Sequence, residues 1–437
     1  MSETYVITAA QNATYVDKKW WKTLQHIVEF NNAELIVIPF YYRNGAKKNQ
    51  WFDPVVKPYL LTETRHLGKH LNVTPIYVTP TAKNPLNSLA TYCGKNSGCF
   101  GFPRLTLQSM VTSSNKARTL FTTGACTKAN YSEKKPDANF NHQLACQIVH
   151  VDDKGYFHRR EVEFKKGKAY DLRTLYRATG VEQNNDTIVM NPGDWHYNHE
   201  HQRNDGGYRE HIKDVISELQ VDYMLAHDFL DFRTQNHHSR DGKMRKIKIA
   251  QSPEFVKDEL DGCCTELREL SQLTTKGVIV VESNHDKAYD RWLVDTNNFQ
   301  NPIDAEFYHE SWLRVLRNKG VSPFKLHYDL MFPDDDRVSF VALRDNFKIN
   351  KTLIHHGDIG PSGARGSPTS FLKTADYSNS GHTHSPFRNF KVSVAGVTEL
   401  EHGYNEKLGA WDQALCLIHK DGSVQIMHYV DGRIHLG

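Results

Sequence analysis

The chain of 437 residues has few of the features that mark membrane-spanning, secreted or disulfide-stapled proteins. No apolar run approaches the roughly 18 residues that are needed to span a membrane. The N-terminus lacks the basic segment followed by an apolar stretch that is typical of a secretory signal. The seven cysteines are odd in number and scattered, with no C-x-x-C pair, which indicates reduced thiols. These absences predict a cytoplasmic protein that makes no membrane contact.

The sequence also lacks a strong charge of either sign, internal repeats and a glycine-rich phosphate loop. Its formal net charge of +3 is too small to identify a nucleic-acid-binding protein by itself. With 39% hydrophobic, 24% charged and 11% aromatic residues, the composition is that of an ordinary globular protein. The length leaves room for two or three domains with a large core.

The first part of the chain alternates predicted strands with predicted helices. Apolar runs predict strands at YVITAAQ, AELIVIPFYY and NVTPIYVTP, and KKWWKTLQHIVEFNN has the periodicity of an amphipathic helix. A further helix is expected between the second and third strands, and this order favours a parallel α/β sheet. Two alternating runs that meet at residues 152–155 predict a β-hairpin. A polar, turn-rich segment then predicts a boundary between domains of residues 1–180 and 181–437.

Beyond this boundary, five predicted strands end on side chains that can bind metals. These groups stand in GDWH, AHDFLD, SNHD, IHHGD and GHTH: Asp194, His196, Asp228, Asn284, His285, His355, His356, His382 and His384. Each pair alone is compatible with ordinary turn residues, because the chain has 24 histidines. Since sites in open α/β sheets form at the carboxyl ends of strands, we expect the five groups to converge. Their oxygen and imidazole ligands suit divalent ions such as Mn, Fe or Zn, and their number exceeds what one ion needs.

In this order the motifs resemble the signature of the calcineurin-like metallophosphoesterase superfamily, over roughly residues 186–430. The motifs of that signature are D-x-H, G-D-x-x-D, G-N-H-D, H-G and G-H-x-H. The resemblance implies a β-sandwich flanked by helices, which here follows an N-terminal α/β domain. That first domain is expected to be a scaffold for substrate binding or assembly. Two positions depart from the signature, because His227 and Ser283 stand where the family has glycine.

The resemblance implies a metal-dependent phosphoesterase that holds two divalent ions, with Mn preferred and Fe, Zn, Ni or Mg as alternatives. It assigns three ligands to each ion and a bridging carboxylate: Asp194, His196 and His384; Asn284, His356 and His382; and Asp228. A hydroxide that bridges the metals would be the nucleophile. His285 would protonate the leaving oxygen or stabilise the transition state, and Asp286 would orient its ring. His356 is chosen over His355 because the family's ligand is the histidine directly before the glycine.

Among the activities of this superfamily, we expect hydrolysis of DNA. A basic run, RDGKMRKIK, offers side chains that could track a phosphate backbone: Arg240, Lys243 and Arg245. Arg365, in the loop GPSGARGSP, could clamp a phosphate, and Trp195 and Tyr197 could stack on bases.

The pattern of the whole chain resembles the host-DNA-degrading pre-early nucleases of large tailed bacteriophages. This resemblance implies DNA as the partner and the host cytoplasm as the compartment. Two alternatives stay open: a small-molecule or protein phosphatase of the same superfamily, and a metal-containing binding or assembly protein without hydrolytic activity. A homo-oligomer is compatible with each of these functions.

Overall fold

Three β-sheets organise the molecule, and the chain passes between them in an interleaved order. The computed structural model describes residues 2–42, 50–111, 118–132, 142–197, 205–232, 234, 255–295, 303–373, 377–400 and 409–437. Within these ranges the protein is a mixed α/β structure with six α-helices and 23 strands. None of the described helices is long and apolar enough to cross a membrane.

The described residues of the first part of the chain form twelve strands and one α-helix. They are β1 (Glu3–Gln11), α1 (Lys18–Phe30), β2 (Glu34–Phe40), β3 (Arg65–Leu67), β4 (Leu71–Thr74), β5 (Ser97–Phe100), β6 (Thr106–Met110), β7 (Arg118–Thr122), β8 (Ala145–Val151), β9 (Phe157–Lys165), β10 (Lys168–Asp171), β11 (Thr174–Arg177) and β12 (Gly180–Gln183). Seven of these strands form one sheet in the order β12-β11-β10-β9-β8-β1-β2. The predicted boundary near residue 180 falls at β12, and the division into two domains stays a prediction.

Alternate residues of β1 point to opposite faces of the seven-stranded sheet, as the period of a strand requires. Val6 packs with Trp20 and Leu24 of α1 on one face. Ile7 packs on the other face, in a cluster that includes Leu107 of β6. The strand is therefore apolar on both sides and is covered by a helix and by a second sheet.

The expectation of a parallel sheet in this region is wrong for most of its strands. Only β1 and β2 run parallel in the seven-stranded sheet, whereas β1 with β8 and the series from β8 to β12 are antiparallel. The reason is that β8 to β12 follow one another through short turns, which can join only antiparallel strands. The predicted hairpin at residues 152–155 is confirmed, because every residue of β8 pairs with a residue of β9 across this turn.

Two other elements of this region differ from the expectation because of proline residues. In the described residues between β2 and β3, the chain forms a short 3₁₀-helix, Pro54–Tyr59, instead of a second α-helix. Pro58 lies inside it, and proline removes the amide donor that an α-helix would need. The predicted strand NVTPIYVTP ends at Thr74, directly before Pro75, for the same reason.

In the second part of the chain, the described residues form a six-stranded sheet with five α-helices on one face. These elements are β13 (Val189–Asn191), α2 (Tyr208–Glu218), β14 (Tyr223–His227), α3 (Val256–Leu273), β15 (Gly277–Val281), α4 (Ala288–Val294), α5 (Ala305–Arg317), α6 (Pro323–Met331) and β16 (Val338–Val341). The sheet order is β16-β15-β14-β13-β22-β23, with β22 (Ala414–Ile418) and β23 (Val424–His428) contributed by the end of the chain. The neighbours from β13 to β16 run parallel. The helices cover one face of this sheet, where Met224 and Val278 pack with Leu260 and Leu267 of α3.

The third sheet takes strands from both parts of the chain. Its later strands are β17 (Lys348–Ile349), β18 (Thr352–Ile354), β19 (Tyr377–Ser380), β20 (Phe387–Asn389) and β21 (Val392–Val394). The order is β17-β18-β19-β21-β20-β6-β7-β5-β4-β3, so ten strands form one continuous sheet. The two parts meet where β20 pairs with β6, with Arg388 opposite Leu107.

The other two sheets pack against this ten-stranded sheet. Ile354 at the end of β18 and Ala395 just after β21 lie in one apolar cluster with Leu225 and Ile279 of the six-stranded sheet. Buried Arg388 lies where all three sheets meet. It donates a 3.0 Å hydrogen bond to Glu163 of the seven-stranded sheet and another to the carbonyl of Val424 in β23. The sheets are therefore tied together by apolar packing and by a buried ion pair.

Candidate metal centre

The five predicted strand ends converge at one edge, between the six-stranded and ten-stranded sheets. Strands β13, β14 and β15 of the first sheet and β18 and β19 of the second lead directly into the polar motifs. Beyond β13 the chain stays paired with its neighbour, because the amides of Trp195 and His196 donate to the carbonyls of His227 and Asp228 at 2.9 and 2.8 Å. The side chains that follow each strand are thereby held in fixed positions relative to one another.

The first group of potential ligands consists of four buried side chains. Asp194, His196, Asp228 and His384 each offer an atom that lies within 4.8 Å of those of the others. The Nε2 of His384 lies 3.1 Å from Oδ2 of Asp194 and 3.2 Å from Nε2 of His196. Two carboxylates and two imidazoles facing one point form a set that can hold a metal ion.

The second group shares Asp228 with the first. Asp228, His356 and His382 also have ligand atoms within 4.8 Å of one another. The Nε2 of His356 lies 3.2 Å from Oδ1 of Asp228 and 2.9 Å from Oδ1 of Asn284. The structure thus brings together all seven side chains that the sequence assigned as ligands. His355 lies apart from them, with its ring stacked on Phe371 at 3.7 Å.

The electrostatics of the two groups fit a cation. Burial by itself raises the pKa of Asp228, but His356 and His285 outweigh burial and hold it well below its usual range. Burial likewise opposes the charged form of His356, yet the Asp228 carboxylate raises the pKa of that ring to about 9. The carboxylates therefore require positive charge beside them, and an imidazolium or a metal ion can supply it.

Asp194 provides a more direct test of whether a cation fits. Its Oδ1 is fully buried and has no hydrogen-bond partner among the described residues, although Oδ2 accepts from the His382 amide at 2.7 Å. A buried carboxylate oxygen without a partner is costly unless a cation or water satisfies it. Gly381 lies directly against this atom, and a Cβ at that position would be 2.0 Å from Oδ1. The glycine before His382 thus leaves the space in which Asp194 sits.

Four of the ligand positions have a left-handed backbone conformation, which is uncommon for residues other than glycine. The φ angles are +50° at His196, +42° at Asp228, +70° at His382 and +56° at His384. Such conformations cost free energy and occur most often at functional sites, where the surrounding structure enforces them. Here they turn the side chains at the strand ends toward a common point.

His285 lies beside the first ligand group and contacts a carboxylate that the sequence assignment did not include. Its Nδ1 is 3.1 Å from Oδ1 of Asp231, and its ring meets that of His196 edge-on with centroids 4.8 Å apart. Burial opposes the charged form of His285, but Asp228 and Asp231 outweigh it and raise the pKa to about 10. His285, Asp231 and His196 also form a third group that could hold an ion. The ring is therefore either a proton donor or a further ligand.

The expectation that Asp286 orients the His285 ring is wrong. Its Oδ1 accepts from the amide of Leu230 at 3.0 Å, and its Oδ2 accepts from the Ser283 hydroxyl at 2.7 Å. Asp286 therefore fixes the loop after β14, while Asp231 contacts the imidazole. Ser283 stands where the signature of the superfamily has glycine, and its hydroxyl donates the hydrogen bond that holds Asp286 in place.

The expectation that Trp195 and Tyr197 stack on DNA bases is wrong, because both side chains are buried. Trp195 is completely buried and stacks on Phe229 with ring centroids 5.6 Å apart. Tyr197 is also buried, so neither ring can stack on a nucleic-acid base. Arg365 is exposed and its backbone pairs with Ile359, in the loop that follows His356. Arg240, Lys243 and Arg245 lie outside the described residues.

The structure identifies two further residues that hold the centre in shape. Asp231 could have been found from its spacing, because it stands three residues after Asp228 as the second aspartate of the D-x-x-D pattern. Arg209 of α2 gave no such signal. Its guanidinium is buried and donates to the carbonyls of Trp195 and His196 at 2.6 and 2.9 Å. It therefore fixes the turn that carries the first two ligands.

The comparisons with known proteins give one similar protein. The chain is similar to Protein A1 of Escherichia phage T5, with 28% identity over 459 aligned positions that cover 98% of this chain and 82% of that protein. No family model matches the chain. No solved structure matches it either. The similarity over nearly the whole chain supports a phage origin.

Proposed function

We propose that the chain is a dimetal-dependent phosphodiesterase that hydrolyses DNA. One observation carries the proposal: two groups of buried ligands meet at a single carboxylate, Asp228. A carboxylate that faces two ligand groups is suited to bridge two cations, because its negative charge offsets their mutual repulsion. In this proposal residues 181–437 form a calcineurin-like metallophosphoesterase domain, and residues 1–180 serve substrate binding or assembly.

The donor atoms favour a particular class of ion. Carboxylate, amide and imidazole ligands without thiolate suit Mn²⁺ and similar divalent ions better than a thiolate-rich set would. All seven cysteines are buried and free, and none belongs to a ligand group in the described residues. Two divalent ions bound here would neutralise phosphate charge and lower the pKa of a water molecule toward about 7.

Two side chains of the protein would supply the proton for the leaving oxygen and orient the ring that carries it. His285 directs Nδ1 to Asp231, which leaves Nε2 for the leaving oxygen of a substrate. A protonated ring in this position acts as a general acid. Asp231 is a positioning residue in this scheme, since it contacts the imidazole and holds one face of the ring toward the centre.

DNA is favoured as the substrate by charge outside the ligand groups. Exposed Arg365 follows His356 in a loop and is available to a phosphate. The basic run that contains Arg240, Lys243 and Arg245 follows the Asp228 motif in sequence, and such runs favour polyanions. The similarity to a phage protein is compatible with a nuclease but does not define an activity.

The proposal is tested by incubating the purified protein with plasmid, linear and single-stranded DNA and with a chromogenic phosphodiester and a phosphomonoester. Each substrate is combined with Mn²⁺, Mg²⁺, Fe²⁺, Ni²⁺ or Zn²⁺. We expect metal-dependent cleavage of DNA and of the diester. The matched control is the variant Asp194→Ala, which removes one ligand of the first group and should be inactive.

The alternatives predict different results in the same assay. Preferential hydrolysis of the monoester, with intact DNA, would indicate a phosphatase. Bound metal without hydrolysis of any substrate would indicate a binding or assembly protein. Either result would overturn the nuclease proposal.

A further inference from the structure

A pair of exposed aromatic rings lies on the seven-stranded-sheet side of the molecule, on elements separate from the metal ligands. Tyr15 is 64% exposed and Trp51 is 39% exposed, and their ring centroids are 5.2 Å apart. Large aromatic side chains are usually buried, so two of them exposed side by side form an unusual surface.

The backbone beneath these rings is fixed. The amide of Ala13 donates to the carbonyl of Trp51 at 2.8 Å, and the amide of Lys128 donates to the carbonyl of Tyr15 at 2.9 Å. Val16 and Phe52, the residues that follow each ring, are buried in the apolar cluster beneath α1. The two rings are therefore presented by a rigid support.

A second aromatic contact extends the same surface along α1. Trp21 of this helix meets Tyr59 at the end of the 3₁₀-helix, with ring centroids 6.1 Å apart. Tyr59 is partly exposed, and Val55 in the same 3₁₀-helix is exposed too. This 3₁₀-helix begins three residues after Trp51, so the exposed Val55 and Tyr59 stand on the segment that directly follows the ring pair.

Exposed lysines stand on the same segments of the chain as these rings or on segments bonded to them. They stand at the start of α1, in the 3₁₀-helix and beside Tyr15: Lys18, Lys19, Lys22, Lys57 and Lys128. Among the residues that the structure describes, none of the five forms an ion pair. In the described part of the chain, the two carboxylates of these segments accept hydrogen bonds from backbone amides and form no ion pair with the lysines. Asp17 caps α1, and buried Asp53 accepts from the amides of Val16 and Val55.

We propose that this surface binds single-stranded nucleic acid, with bases stacked on Tyr15 and Trp51 and phosphates held by the lysines. The combination of exposed rings and cations, with little negative charge between them, is the one that single strands require, because every base has a face that can stack. Duplex DNA would bind this surface more weakly, since its bases are already stacked on one another and cannot stack on the two rings. The inference takes its substrate class, nucleic acid, from the proposed function. It gives the N-terminal elements the role of binding the single-stranded nucleic acid.

The test measures binding separately from hydrolysis. A fluorescein-labelled oligo(dT) of 30 nucleotides is titrated with the full-length protein in excess EDTA, and the anisotropy is recorded at several salt concentrations. The double variant Tyr15→Ala/Trp51→Ala should weaken binding by about 10- to 100-fold. The matched control is Tyr77→Ala/Tyr92→Ala, which removes two other exposed tyrosines and should bind as the unmodified protein does.

Two further variants make the result specific. Trp51→Phe keeps an aromatic ring and should retain most of the affinity, which a general disturbance of the fold would not allow. Lys18→Gln/Lys57→Gln/Lys128→Gln should reduce the slope of log affinity against log salt by about 0.7 for each phosphate that the protein no longer neutralises. Lys319→Gln, at an exposed position beyond α5, is the control for charge alone.

Unchanged affinity in the Tyr15→Ala/Trp51→Ala variant would overturn the proposal. Equal binding of a labelled polyglutamate would also overturn it, since the surface would then attract any polyanion. A failure of the proposed function appears elsewhere, as absent hydrolysis of the chromogenic diester by the unmodified protein with metal. The two failures are therefore distinguishable.

Discussion

The Nδ1 of His285 lies 3.1 Å from Oδ1 of Asp231, and this contact orients an imidazole at the edge of the metal centre. His285 directly follows Asn284, whose side-chain oxygen is instead 2.9 Å from His356. Both residues lie in the turn after β15, and this turn directs their side chains to different partners. The contact with Asp231 therefore holds His285 apart from the group that contains Asn284 and His356.

The first prediction concerns His285. His285→Ala should lower turnover on DNA by about 10²- to 10⁴-fold, because a positioned general acid contributes that factor. The loss should be smaller on a nitrophenyl diester, whose leaving group scarcely needs a proton. Metal content, measured by elemental analysis, should match that of the control His309→Ala. Loss of bound metal would instead make His285 a ligand, as its place in the third ligand group allows.

A second prediction concerns the shared carboxylate. Asp228→Asn should lose bound metal and activity together, since it removes the negative charge that both ligand groups face. The comparison is Asp214→Asn, on the exposed side of α2, which should keep both. If the Asp228→Asn protein retained two tightly bound ions, the bridge would be elsewhere, and Asp231 would be the next residue to replace.

A third prediction follows from the contact between Gly381 and Asp194. The added Cβ of Gly381→Ala would lie 2.0 Å from Oδ1 of Asp194, so the carboxylate must move away from its position. We expect weaker metal binding by at least tenfold, measured by titration with Mn²⁺. Gly409→Ala is the control, because a Cβ there meets only ordinary contacts. Equal metal affinity in the two variants would mean that Asp194 is not a ligand.

Metal removal gives a fourth prediction. Excess chelator should abolish hydrolysis, and Mn²⁺ should restore it best among the divalent ions. Saturating Mn²⁺ should also raise the unfolding temperature, because an ion that binds only the folded state at 100 times its Kd adds about 2.7 kcal/mol. Full activity after prolonged dialysis against chelator would contradict the dimetal proposal.

A fifth prediction concerns stability and a histidine far from the ligands. Burial, reinforced by Arg433, lowers the pKa of His158 to about 4, below the value of about 6.5 in an unfolded chain. The unfolded state therefore binds the proton more tightly, and this contribution to stability is complete above pH 6.5 and declines as the pH falls toward 4. His158→Gln should reduce the difference in unfolding free energy between pH 7 and pH 5 by about 2 kcal/mol. Denaturant unfolding at both pH values measures it, and an unchanged difference would contradict the burial argument.

The convergence of the candidate ligands could be predicted from the sequence because each one follows a strand within a few residues. A short apolar run that ends on GDWH or GHTH predicts both the strand and the position of the side chains after it. Asp231 was within reach of the same reasoning. The error at Asp286 has a local cause: adjacency in sequence to His285 suggested a contact, whereas the turn directs its carboxylate to Leu230 and Ser283.

Features that depend on distant parts of the chain were not predictable in this way. The complete burial of Trp195 results from packing against Phe229, and no periodicity in a four-residue motif indicates it. The exposed pair of Tyr15 and Trp51 forms only because a turn and a later loop are joined by backbone hydrogen bonds. The pairing of β20 with β6 places Arg388 opposite Leu107, 281 positions earlier in the chain, and neither segment carries a signal for its partner.

The ladder between β6 and β20 also sets the order in which the protein can fold during synthesis. Until residues 387–389 leave the ribosome, β6 is the last strand of its sheet and its edge toward β20 has no partner in the ladder. An unpaired edge can add strands from other chains, and strand pairing over long sequence separations is slow. We therefore expect the emerging N-terminal part to be exposed to aggregation until most of the second part of the chain has been synthesised. A gene truncated before β20 would yield a chain with an open β-sheet edge, and separate expression of the first 180 residues should require a chaperone or a capped edge to stay monomeric.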